Sequence, residues 1–154
     1  MVFFADAIEF VTRLSTDTLV LVFLIIGLSV VALYLGKDWI VSFIFSLFVA
    51  EVLYQIIPFD LPDSDWYIFG TKIIFAFVIA AVLKKFIKGD FPYKKSRRYI
   101  QAVILGVTTT ITLLATGLTT AYTFSPFISR WFEGDFLFWA SVVPFLILFF
   151  IIRR

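Results

Sequence analysis

Two residues of opposite charge lie inside otherwise apolar segments of the chain. Glu51 interrupts IFSLFVAEVLYQII, and Lys72 follows Trp66 in the next apolar segment. A charge near the bilayer centre costs about 2.5–3.5 kcal/mol on insertion scales, so such a residue usually has a partner. At 1.5 Å per residue, Glu51 lies about 10 Å from the outer end of its helix, and Lys72 lies at nearly the same depth of the following antiparallel helix. We therefore predict an intramembrane ion pair.

This predicted pair has two interpretations. Glu51 could be a proton or cation site of a small channel or transporter component, with Lys72 as its modulator. Alternatively, the pair is structural and joins two helices, with Tyr54 or Gln55 donating to the carboxylate. The structural interpretation is favoured because opposite charges neutralise each other, and because a proton relay would need further ionisable groups deeper in the membrane.

The composition indicates helices in a membrane as the elements that hold these residues. The chain is 62% hydrophobic and 16% charged, whereas soluble domains have about a quarter charged residues. Four segments, about 18–36, 38–58, 67–87 and 99–122, are long enough to cross a hydrocarbon core of about 30 Å. A fifth, about 136–152, contains Pro144, which a transmembrane helix tolerates with a kink. We predict an all-α, compact bundle of five transmembrane helices, or four without the last, forming a single polytopic membrane domain over residues 1–154.

Two shorter helices are also expected at the outer surface. The first 14 residues alternate apolar and charged positions at helical spacing, which predicts an interfacial amphipathic helix. Ser125 and Pro126 are suited to the N-cap and first position of a short helix after the fourth span.

The basic residues predict the orientation of the chain. Seven of them lie in the connection 84–98: Lys84, Lys85, Lys88, Lys94, Lys95, Arg97 and Arg98. Because Lys and Arg in short loops stay cytoplasmic, this loop and the C-terminus are predicted inside and the N-terminus outside. The loop either contacts anionic lipid headgroups, worth about 1 kcal/mol per basic residue, or docks an acidic partner. Lipid is favoured, and nucleic acid is not expected, since headgroups would compete with its phosphates.

Small residues recur along the predicted helices and indicate close packing. They allow helix backbones to approach in a membrane, where no hydrophobic force drives association. The predicted packing positions are Ser42, Ser46 and Ala50 in the second span, and Ala102, Gly106 and Gly117 in the fourth. Threonines in the fourth span could line a pore or bond to their own backbone, and we favour the second because Thr108, Thr109 and Thr110 point in three directions.

Residue types also limit the possible chemistry. The sequence has no Cys and no His, which removes thiolate chemistry and the usual zinc and haem ligands. It has no glycine-rich phosphate loop and no nucleophile beside a base. We expect no catalytic residues, no metal and no cofactor.

Several segments resemble one known family. They are Asp17 at the start of the first span, the turn Gly36-Lys37-Asp38, the basic helix end Lys84–Lys88 and RRYIQAVILG (Arg97–Gly106). Over residues 17–122 they resemble the colicin V production protein family of small bacterial inner-membrane proteins. The chain departs from that family in its less glycine-rich turn and fourth helix, and in its fifth predicted span. The resemblance implies an inner-membrane location and a role in export or envelope function.

The leading hypothesis from the sequence is a non-catalytic integral membrane subunit, or an assembly or export-associated factor. It would act by helix packing with other membrane proteins or with itself. The alternative is the small channel or transporter component that uses Glu51 and Lys72.

Overall fold

The described part of the chain is helical in every element. A computed structural model of the protein describes residues 2–57, 64–87, 95–132 and 134–152. The elements are α1 (Val2–Leu35), α2 (Lys37–Ile56), α3 (Asp65–Leu83), α4 (Lys95–Leu113), a π-helical turn (Leu114–Leu118), α5 (Thr119–Ala121), α6 (Pro126–Ser129), a 3₁₀ turn (Arg130–Phe132) and α7 (Gly134–Ile152). The prediction of an all-α protein is confirmed.

Four helices are long and apolar enough to cross a membrane. They are Val11–Leu35, Lys37–Ile56, Asp65–Leu83 and Lys95–Leu118, which correspond to the first four predicted spans. In α7 the apolar stretch within the described residues, Phe138–Phe149, is shorter than these. The crossing of α7 therefore stays a prediction.

The predicted N-terminal helix and the first predicted span form one helix of 34 residues, α1. Neither glycine nor proline separates them in the sequence, and the hydroxyls between them do not start a new helix. Thr16 and Thr18 instead donate to the carbonyls of Thr12 and Leu14 one turn earlier, which satisfies the hydroxyl within a continuous helix. The helix thus continues from the predicted interfacial segment into the apolar one.

The first four helices alternate in direction. Gly36 alone separates α1 from α2, and its φ of 95° lies in a region that favours glycine, so the chain reverses within one residue. At that end, Arg98 Nη2 of α4 donates to the Leu33 carbonyl of α1 at 3.2 Å, and Lys84 after α3 lies 5.5 Å from the ring centroid of Trp39 in α2. We call this end of the bundle the basic end.

The core lies around α2 and α4, with α1, α3 and α7 packed on them. One cluster joins Ile44 of α2, Leu105 of α4 and Leu148 of α7, all fully buried. A second joins Leu47 of α2 to Ala76 and other residues of α3. Since α2 and α4 contribute to both clusters, they form the centre of the bundle.

Candidate functional site: an interhelical ion pair and a buried aspartate

The structure brings Glu51 and Lys72 together. Lys72 Nζ of α3 lies 2.6 Å from Glu51 Oε2 of α2, a distance typical of a charge-assisted hydrogen bond. The side chains are 28% exposed for Glu51 and 14% exposed for Lys72. The pair therefore lies at the edge of the α2–α3 contact and not in the sealed core.

Two neighbours in α2 complete the surroundings of this pair. Gln55 Nε2 lies 3.4 Å from Glu51 Oε1 as a long hydrogen-bond donor, and the Tyr54 ring centroid lies 5.1 Å from Lys72 Nζ. A cation over an aromatic face is attracted by the ring quadrupole, so Tyr54 also stabilises the lysine. Each charge thus has an opposite charge and a second polar or aromatic contact.

The threonines of α4 use their hydroxyls within their own helix. Each hydroxyl donates to a backbone carbonyl one turn earlier, at 2.7–2.9 Å, for Thr108, Thr109, Thr110 and Thr112, and Thr116 of the π-helical turn does the same. The backbone-bonding interpretation is confirmed, and these side chains are buried in the bundle.

The predicted packing positions of α2 and α4 lie at helix contacts, and Gly117 is distinguished from the others by its backbone conformation. Ser42, Ser46 and Ala50 are fully buried, as is Ala102. At Gly106 a Cβ would lie 2.8 Å from the Ile25 carbonyl oxygen of α1, so only glycine permits this approach.

Gly117 differs from the other predicted packing positions. It lies in the π-helical turn Leu114–Leu118 with φ 127° and ψ 3°, where α4 loses its regular path. Its primary role is therefore conformational, because this positive φ strains a residue that has a Cβ. The small-residue pattern of the sequence did not distinguish this role from close packing.

The basic connection is described at its two ends only. Lys88 and Lys94 lie outside the described residues. Lys84 contacts Trp39 and Arg98 contacts the Leu33 carbonyl, while Lys85, Lys95 and Arg97 are exposed at the basic end. Within the described part of the connection, Arg98 thus helps to satisfy the last carbonyls of α1.

Asp17 is a site residue that the sequence analysis did not single out for a role. It is 3% exposed, and its Oδ2 accepts the Ser125 N–H at 2.6 Å while its Oδ1 accepts the Tyr122 hydroxyl at 3.4 Å. Ser125 does occupy the N-cap position of α6, and Pro126 is its first residue, but the serine hydroxyl makes no capping bond. The carboxylate of α1 binds the backbone there instead, and an acidic residue opening an apolar span was the only signal for it.

The acidic residues that the structure describes do not form a metal-binding group. Among the residues that the structure describes, no three His, Cys, Asp or Glu side chains lie together as potential metal ligands. The chemistry that the arrangement offers is thus charge pairing at Glu51 and hydrogen bonding at Asp17.

Comparisons with protein families, with curated proteins and with solved structures find no significant match to this chain. The resemblance to the colicin V production protein family therefore stays a prediction. Function must be argued from the helices and the two sites.

Proposed function

We propose that the protein is a non-catalytic integral membrane subunit, or an assembly or export-associated factor, that acts by packing its helices against other membrane proteins. The supporting observation is the use of polar groups within the apolar helices. Glu51 is neutralised by Lys72, and the threonines of α4 bond to their own backbone. The ion pair joins α2 and α3, and neither the pair nor the threonine hydroxyls present a reactive atom to a substrate.

The helix α3 is the proposed contact for a partner helix. Its buried residues are Ala76 and Ala80, which face α2, whereas Ile74, Val78 and Val82 are exposed. The buried alanines and the exposed branched residues together place α3 at the edge of the bundle, with an apolar outer face. In a membrane this face meets either lipid or a further transmembrane helix, and the proposed function assigns it to the helix.

Mass measurement of the purified protein in mild detergent tests this proposal. We expect stable association with a different membrane protein or with a second copy. Val78→Trp should weaken the association, because the larger side chain disturbs the outer face of α3. Val52→Trp is the matched control, since Val52 is similarly exposed but lies on α2. A protein that remains alone at every concentration and detergent tested contradicts the proposal.

The proposed membrane placement follows the distribution of charge. The basic end faces the cytoplasm, in agreement with the retention of Lys and Arg on that side, and the start of α1 lies in the outer headgroup layer. The fifth crossing belongs to this placement: α7 buries Pro144 and Leu148 and stacks Phe145 on Phe48 of α2, with ring centroids 4.5 Å apart. α7 has α4 as its main helix neighbour, and these contacts support a fifth crossing beside the other spans. The inner membrane of a bacterium is the proposed location.

A second candidate function is a small channel or transporter component. The partial exposure of Glu51, 28%, favours it, since an ion or proton could reach the carboxylate without unfolding the bundle. Purified protein in liposomes would then give a proton or cation flux that Glu51→Gln abolishes. Such a flux would replace the leading proposal by this one, and its absence would leave the ion pair a structural role.

A further inference from the structure

A cavity of about 400 Å³, lined by polar residue types, lies between the first part of α1 and the segment before α6. It lies toward the end of the bundle opposite the basic end. Arg13 and Asp17 of α1, Tyr122 and Ser125 line it together with three threonines. Neither the ion pair nor the helix contacts described above use this cavity.

Two buried acceptors face this cavity with hydrogen-bonding capacity left over. Ser125 is 2% exposed, and its Oγ has no hydrogen-bond partner among the described residues. Asp17 accepts one short bond from the Ser125 N–H and one long bond from Tyr122, although a carboxylate accepts about four hydrogen bonds. Buried polar groups are rarely left unpartnered, so a donor that reaches both oxygens is expected.

The charges of the lining select a zwitterion. Asp17 attracts a cation, but Arg13 in the same cavity disfavours a bare metal ion. Arg13 is 64% exposed and pairs with Glu9 at 2.8 Å, an exposed pair of the kind that holds its partners weakly. Its guanidinium has five donors, so it can bind an anionic group while it stays near Glu9.

The position of the cavity along the membrane normal indicates which molecule supplies such a zwitterion. About 20 helical residues cross the hydrocarbon core, so counting back from Leu35 places the outer boundary near residue 16. Thr16 and Asp17 then lie where phospholipid headgroups begin. This step rests on the proposed crossing of α1 and not on the proposed subunit role.

We propose that this cavity binds a phosphoethanolamine group, the headgroup of an ethanolamine phospholipid. Its primary ammonium donates to Asp17 and to Ser125 Oγ, and its phosphate binds Arg13. A quaternary ammonium has no N–H to donate, and a glycerol headgroup has no positive charge. The site therefore discriminates among headgroups by hydrogen bonding and charge together.

Native mass spectrometry of the full chain with lipids of identical acyl chains tests the proposal. We expect phosphatidylethanolamine to bind about tenfold more tightly than phosphatidylcholine or phosphatidylglycerol, the effect of one charge-assisted hydrogen bond. Soluble glycerophosphoethanolamine is added as a competitor. If glycerophosphoethanolamine displaces the lipid, the site binds the free headgroup compound. If it does not, the acyl chains contribute to binding. Either result supports recognition of the phosphoethanolamine group.

Two variants separate binding from folding. Ser125→Ala should lower the affinity for phosphatidylethanolamine about tenfold, although the loss of a buried, unpartnered oxygen should not lower the melting temperature. Asp17→Asn should remove the preference for ethanolamine over choline while its amide oxygen still accepts the Ser125 N–H. Asp65→Asn is the matched control, because Asp65 is an exposed carboxylate outside the cavity.

Equal binding of the three lipids by the native chain would overturn the assignment. A Ser125→Ala or Asp17→Asn protein that keeps the native preference for phosphatidylethanolamine would also overturn it. So would an Asp65→Asn protein that loses as much of this preference as Asp17→Asn does. Self-association or association with other chains is measured separately, so failure of the lipid site does not affect the proposed subunit role.

Discussion

At the scale of single residues, the contact between Glu51 and Lys72 joins α2 and α3 where their other contacts are apolar. Each charge is partly shielded from solvent, at 28% and 14% exposure. Removal of one partner leaves a charge in a poorly polar environment, whereas removal of both leaves none. The energetic role of the pair is therefore visible only when single and double changes are compared.

We expect Glu51→Gln and Lys72→Met each to lower the free energy of unfolding by about 2 kcal/mol, because each leaves one unpaired charge near the bilayer. The double variant should be less destabilised than either single variant. Unfolding by a denaturing detergent, followed by circular dichroism, gives the three values. Additive effects of the two changes would show that the 2.6 Å contact contributes no coupling.

At the scale of helices, α1 and α4 approach closely because α4 has Gly106 where the two cross. A Cβ there would lie 2.8 Å from the Ile25 carbonyl oxygen and 2.9 Å from the Ser29 nitrogen. Both atoms belong to the backbone of α1, which cannot rotate away as a side chain can. The helices themselves would have to separate.

Gly106→Ala should therefore destabilise the bundle by about 1–3 kcal/mol, the usual cost of an overpacked contact. Gly27→Ala is the control, since no atom lies within 4 Å of the position that its Cβ would take. That change should be neutral or stabilising by up to about 1 kcal/mol, the difference in helix propensity. Thermal unfolding of both variants in one detergent checks the prediction, and equal melting temperatures would refute it.

The π-helical turn after α4 requires a positive φ at Gly117, which is a different constraint from the close packing at Gly106. With φ at 127°, an alanine at this position should cost about 1–3 kcal/mol of backbone strain or force the turn into a regular helix. Gly70→Ala in α3 has open space and a regular helical backbone, and it should show no such cost. A Gly117→Ala protein as stable as the Gly70→Ala protein would contradict the strained turn.

The helices differ in how far the sequence could predict them. Length and hydropathy were sufficient to locate the four long apolar helices, because crossing a bilayer requires a long apolar run, but they did not show that the N-terminal segment continues into α1. The depth argument for Glu51 and Lys72 needed only helix rise and antiparallel order. The contact of Asp17 with Ser125 joins residues 108 positions apart, and the π-helical turn depends on how α4 packs. The π-helical turn leaves no local signal in the sequence, and the Asp17 contact leaves only an acidic residue at the start of an apolar span.

At the scale of the whole molecule, the described basic residues that follow α3 and begin α4 lie at one end of the bundle. Lys84, Lys85, Lys95 and Arg97 lie there, while Asp17 and Glu51 lie toward the other end. This polarity makes the orientation testable. The chain contains no cysteine, so a single introduced cysteine reports its own location.

Single cysteines at Ser64 and Thr123 should react with an impermeant maleimide added to intact cells. Cysteines at Lys85 and Lys95, and one beyond Arg154, should react only after permeabilisation, because the positive-inside rule places the basic end in the cytoplasm. Mass shift of the purified protein measures the labelling. Reaction of the C-terminal cysteine in intact cells would contradict five crossings, and reversal of both pairs would contradict the orientation.

The bonds of α1 to Arg98 at the start of α4 and to Ser125 before α6 also bear on the order in which the chain folds during synthesis. Arg98 and Leu33 are separated by 65 residues, and Ser125 and Asp17 by 108. At a synthesis rate of about 5–20 residues per second, these partners emerge roughly 3–20 seconds after α1 does. During that interval α1 must remain folded in the membrane without its main neighbour, α4. Its helix is uninterrupted and its hydroxyls bond to its own backbone, which favours such stability.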